Sequence, residues 1–156
     1  MPDTAYPTRK RIRLSNYDYS GTGTYHIVIC TAEKEKILSD IIPPKNSCDL
    51  PTVVLSPIGE KIKPMIEEIG NVYPEIRVIE YCIMPNHVHI LITCTGGEKK
   101  LGTAISQLKG KASKTVGRPL WQKGFFDHII RGEADFYETV KYIRENPIKW
   151  TGDLYF

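Results

Sequence analysis

No apolar run in this chain approaches the ~18 residues needed to cross a bilayer, so a helical membrane span is not expected. Its four cysteines, Cys30, Cys48, Cys82 and Cys94, contain no Cys-x-x-Cys pair. Three of them lie in apolar, strand-like runs, where a thiol behaves as a small hydrophobe, and reduced core thiols are the expectation. The opening MPDTAYPTRK has no apolar stretch of the signal-peptide kind, which points to a cytoplasmic location. A dominant charge is missing too: 21 Lys and Arg stand against 18 Asp and Glu, a net charge of +3. Charge alone therefore does not mark a nucleic-acid binder. Internal repeats, low-complexity segments and the aromatic signatures of an RNA-recognition motif are absent as well.

What is present is one ordinary globular domain spanning 1–156, with 41% hydrophobic and 25% charged residues. Residues 1–20 form a polar, basic, tyrosine-bearing arm, and 147–156 a short tail. The run from Thr24 to Thr31 is rich in β-branched residues and predicts a strand. Glu33 to Pro51, with Pro43-Pro44, reads as a loop with at most one short element. Ser56-Pro57 opens a helix with apolar positions at Ile58, Ile62, Met65, Ile66 and Ile69, interrupted by Pro64. Strands follow over Ile76 to Met84 and His87 to Cys94, joined by Pro85-Asn86 as a tight hairpin or a bend. A basic amphipathic helix spans Lys100 to Val116, Trp121 to Ile130 is strand-like, and Glu133 to Asn146 is a periodic helix stopped by Pro147. The order predicts an α+β fold, a ferredoxin-like βαββαβ antiparallel sheet with helices on one face, plus an extra C-terminal helix.

The stretch from Tyr81 to Ile92, YCIMPNHVHILI, carries the strongest chemical signal. Side chains alternate along a strand, so His87 and His89 share a face and Val88 points away. Two imidazoles on one face make half of a metal site or half of an acid–base pair; the plainer reading is a strand with two hydrogen-bonded histidines. Two ligands fall short of a closed structural zinc site. On the last helix, Tyr142 and Asn146 stand one turn apart on about the same side. A tyrosine nucleophile needs activation because its ordinary pKa is about 10; otherwise Tyr142 is a half-buried aromatic and Asn146 a helix-end residue.

The sequence HVH preceded by MPN resembles the His-hydrophobe-His motif of single-tyrosine HUH nucleases. The later run WQKGFFDHIIR, then YIRENP, closely resembles the REP-associated tyrosine transposases, as does the opening RIRLSNYDYS with YHIVICT after it. The resemblance runs from about Arg9 to Trp150. It implies an HUH transposase domain in which His87 and His89 hold a divalent metal, Mg2+ or Mn2+, and Tyr142 is the nucleophile. Asn146 falls where relatives place a third, amide-type ligand, with Glu145 or Glu138 as substitutes, and His128 and Glu145 would stand in a second shell. The implied reaction forms a covalent 5′-phosphotyrosine and frees a 3′-hydroxyl that can reverse it. Strand cleavage and rejoining then follow on single-stranded or hairpin-forming DNA.

Arg9, Arg11 and Arg13 on the arm, Lys109, Lys111 and Lys114 on the basic helix, and Arg131 suit phosphate contacts. Tyr17 and Tyr19 suit stacking on unpaired bases. A monomer with the site in cis and a homodimer completing it in trans are both open. Two rivals stand beside this reading. One is a domesticated protein that binds hairpin DNA or RNA without cutting it, and the other is a metal-dependent hydrolase with a water nucleophile.

Overall fold

The computed structural model describes residues 23–46, 48–95 and 97–150. Its elements are β1 (Gly23–Cys30), β2 (Ser39–Ile42), β3 (Thr52–Leu55), α1 (Pro57–Glu67) and α2 (Ile69–Val72). They continue with β4 (Ile76–Met84), β5 (His87–Cys94), α3 (Gly97–Val116), β6 (Phe126–Ile129) and α4 (Glu133–Glu145). The main sheet has the order β4-β5-β1-β6 with every neighbour antiparallel. With β2 and β3 set aside this is the ferredoxin-like βαββαβ arrangement, as the order of elements predicted.

Strand alternation divides the sheet into two unlike faces. Tyr25, Ile27 and Ile29 on β1 and Val88, Ile90 and Ile92 on β5 point one way. They are buried in one cluster with Ile62 and Ile66 of α1 and Leu101, Ile105 and Leu108 of α3. His26, Val28 and Cys30, with His87 and His89, point the other way. There Val28 and Cys30 cluster with Phe126, and Met84, Leu91 and Ile143 are buried outside the main cluster. Helix α4 covers this second face, tied to β4 by Arg144 and Glu80 at 3.2 Å. Among the described residues no helix is long and apolar enough to cross a membrane.

Two segments depart from expectation. The stretch read as a loop contains β2 and, with β3, forms a separate two-stranded ribbon. Its strands are only four residues long and flank the proline-rich turn, so alternation is too brief to register. The predicted strand from Trp121 shrinks to β6, because Trp121 makes only an isolated bridge with Thr31. Lys109 donates its ammonium protons to the carbonyls of Gln122 and Gly124, and residues 122–125 run as an irregular bend. Pro85-Asn86 resolves as a tight hairpin with Met84 opposite His87. Pro64 sits inside α1 without ending it.

Two glycines are dictated by geometry. At Gly59 an added Cβ would lie 2.2 Å from the Leu38 carbonyl oxygen, so α1 could not approach the start of β2. Gly132 precedes α4 with φ 101° and ψ 175°, a region essentially closed to other residues. That residue sets the angle at which α4 enters over the sheet.

Candidate metal and nucleophile site

The site is built on the second sheet face. The β4–β5 turn is pinned by the chain leaving β1: Thr31 N–H donates to the Asn86 carbonyl at 2.9 Å, and Leu38 N–H to that of Pro85. His87 and His89 therefore start from a fixed register, opposite Cys30 and Val28 of β1. Both imidazoles are fully buried, as is Asn86; Asn146 is 1% exposed.

The hydrogen bonds place the proton of His87. His87 Nδ1 lies 2.7 Å from the Asn86 side-chain oxygen, which can only accept, so the ring proton is on Nδ1 and Nε2 presents a lone pair. That Nε2 faces His89 Nε2 at 3.1 Å. His89 Nε2 is in turn 3.2 Å from the Asn146 Oδ1. The Asn146 amide is oriented by its NH2 group, which donates to the Tyr142 carbonyl at 3.0 Å. Three acceptor-type atoms thus converge, and either a proton or a cation must lie among them.

These residues fit a cation. Separations of 3.1 and 3.2 Å lie close to the ~3 Å edge of an octahedron with ~2.1 Å bonds. Two imidazoles and an amide oxygen leave other coordination positions open, the pattern of catalytic rather than structural sites. Among the described residues no three His, Cys, Asp or Glu side chains form a metal cluster, because the third donor is an amide.

Tyr142, half-buried, lies one turn before Asn146 and reaches the same place. Its ring meets that of His89 edge-on, with centroids 5.4 Å apart, and that of His26 at 6.1 Å. Beside it opens a cavity of about 500 Å3 lined by His26, Phe126, His128, Asp135, Lys141 and Lys149, among others. His128 Nε2 lies 3.0 Å from both Asp135 oxygens. Burial raises the Asp135 pKa, but the Arg131 N–H and His128 outweigh it and hold the carboxyl below its ordinary value.

His26 belongs to this cluster and was not singled out in the sequence. Its Nε2 is 3.0 Å from His89 Nδ1 and the two rings stack with centroids 5.1 Å apart. Burial, then the neighbouring His89, pushes its pKa down to about 3, so it is neutral. The available signal was parity: a histidine in a β-branched run, on the face shared by Val28 and Cys30.

The remaining candidates are placed apart. Lys109, Lys111 and Lys114 ride on α3, across the sheet from Tyr142, and Lys109 is committed to the loop after Leu120. Arg131 is exposed at the entry to α4. Glu145 pairs with Lys149 at 3.5 Å, and Glu138 lines the cavity. Arg9, Arg11, Arg13, Tyr17 and Tyr19 lie outside the described residues. Trp150, which the tail reading left unassigned, stacks against His87 with centroids 6.3 Å apart.

Known proteins share this architecture. The family model of IS200-like transposases matches residues 20–146. An uncharacterized protein of Haemophilus influenzae is 28% identical over 171 residues, covering 93% of this chain and 91% of that protein. A putative REP-associated tyrosine transposase of the same organism is 22% identical, over 87% of this chain and 77% of that protein. A solved REP-associated tyrosine transposase bound to a REP hairpin superposes with a TM-score of 0.62 at 18% identity, covering 92% of this chain and 78% of that one. The last likeness shows the fold; the family match bears out the resemblance seen in the HVH and YIRENP segments.

Proposed function

We propose that this chain, which belongs to the IS200-like transposase family, cleaves and rejoins single-stranded or hairpin DNA through Tyr142. The observation carrying this reading is the convergence of His87 Nε2, His89 Nε2 and Asn146 Oδ1 beside the Tyr142 ring. A divalent cation, Mg2+ or Mn2+, held by those three atoms would offset the charge that develops on the scissile phosphate.

The side chains divide the remaining work. Tyr142 attacks phosphorus with its phenolic oxygen and gives up the phenolic proton. The P–O3′ bond breaks, and the 3′-oxygen takes up a proton and leaves as a hydroxyl, so no net proton is gained or lost. The 5′-phosphate stays on the tyrosine. No water is consumed, so a 3′-hydroxyl can attack the phosphotyrosine and return the phenol. The fixed carbonyl of Tyr142, accepting from Asn146, couples the nucleophile's backbone to the third donor. Lys141 and Lys149 in the adjoining cavity suit the phosphates flanking the cut.

All four groups come from one chain, which supports a site completed in cis. Mixing Tyr142→Phe and His87→Ala proteins should then restore no activity.

The test is to incubate the protein with labelled hairpin DNA and Mn2+ and resolve the products on denaturing gels. A protein–DNA adduct that disappears in Tyr142→Phe is the expected result. Binding without any adduct would favour a hairpin-binding protein, and cleavage that survives Tyr142→Phe a water nucleophile.

A further inference from the structure

We infer that His26 is a positioning residue for the metal site: in the cation-bound protein it accepts the Nδ1–H of His89 and so keeps the His89 Nε2 lone pair turned toward His87 and Asn146. This rests on the metal-site reading above. The two ligand histidines are oriented by different means. Asn86, the preceding residue in the turn, holds His87 through an amide oxygen at 2.7 Å. For His89 the atom facing Nδ1 is the Nε2 of another imidazole, 3.0 Å away and contributed by β1.

Two facing ring nitrogens at that distance share one proton. If it sits on His26 Nε2, His89 carries its own proton on Nε2 and cannot ligate there. If it sits on His89 Nδ1, His26 is protonated on its own Nδ1 and the His89 Nε2 is a ligand. A neutral imidazole can serve in either arrangement, so His26 permits the shift that cation binding demands. Its placement is set by the strand register. Val28 pairs with His89, His26 is the next residue along the same sheet face, and the two rings lie 27° from parallel. Packing alone would be met equally well by another flat ring.

The experiment measures Mn2+ affinity by electron paramagnetic resonance for the wild type, His26→Phe and His26→Gln, with melting curves alongside. Outer partners of metal-bound histidines typically contribute 10–100-fold in affinity. We expect His26→Phe, which keeps a ring but cannot accept, to weaken Mn2+ binding by about 10–100-fold while remaining folded. His26→Gln, whose amide oxygen can accept the same proton, should recover most of it. Equal affinity in His26→Phe and wild type overturns the inference, as does a folded His26→Gln as weak as His26→Phe. A wild type that binds no Mn2+ overturns both this inference and the metal reading on which it rests. Imidazole 15N spectra of the wild type with Mg2+ add a check free of variants. A proton on His89 Nδ1 is expected, and one on Nε2 contradicts the proposal.

Discussion

The two faces of this sheet use the same strands for opposite purposes. Under α1 and α3, β1 and β5 present Ile27, Ile29, Val88, Ile90 and Ile92, packed in one continuous cluster. Under α4 the same strands present His26, His87 and His89 among Val28, Cys30 and Leu91, with Met84 of β4 and Ile143 of α4 also buried there. Burying imidazoles is unfavourable unless each nitrogen finds a partner, and on this face the partners are one another, Asn86 and Asn146. On the proposed reading the first face supplies stability and the second the chemistry. A substitution on either face should therefore move one property and spare the other.

The largest separation is expected from the apolar face. Ile90→Ala should cost about 2–5 kcal/mol in urea unfolding, while Mn2+ affinity of the folded protein stays near wild type. On the other face, His89→Ala should weaken Mn2+ binding by at least about 100-fold, equivalent to about 2.7 kcal/mol. It should change the unfolding midpoint far less than Ile90→Ala does. If His89→Ala proves as destabilising as Ile90→Ala, the division of labour is wrong.

Gly132→Ala probes how α4 is held over its face. The space around the added methyl is open, so the cost is backbone strain of about 1–3 kcal/mol. Unlike Ile90→Ala, it should also lower adduct formation, since it tilts the helix carrying Tyr142. The smallest effect is an acid one. The Asp135 carboxyl has its pKa depressed below the ordinary 3.8. Its contribution is present above that value and is lost as pH falls through the lower, folded-state value. Asp135→Asn should therefore melt only slightly earlier at pH 7, by about 0.3 kcal/mol, and the difference from wild type should vanish in strong acid.

Much of this was legible in the sequence, for identifiable reasons. The period-two rule placed His87 and His89 together, and the helical i, i+4 rule placed Tyr142 with Asn146. The alternation of elements carried the sheet, because each of β1, β4 and β5 is long enough to show its pattern. His26 escaped because a lone histidine in a strand has no neighbour in sequence to flag it; its partner lies on another strand. Amphipathicity could not show that the basic helix α3 covers the sheet face opposite Tyr142. Strands of four residues, as in β2 and β3, offer two inward positions each, too few for a pattern to stand out.

The central claim is that Tyr142 becomes covalently linked to DNA at the histidine-bearing face. Its most direct test is mass spectrometry of the protease-digested adduct formed on hairpin DNA with Mn2+. The account predicts a nucleotide joined through its 5′-phosphate to the peptide containing Tyr142, absent when chelator replaces Mn2+. Linkage to another tyrosine such as Tyr137, or cleaved DNA with no linked peptide, would contradict it.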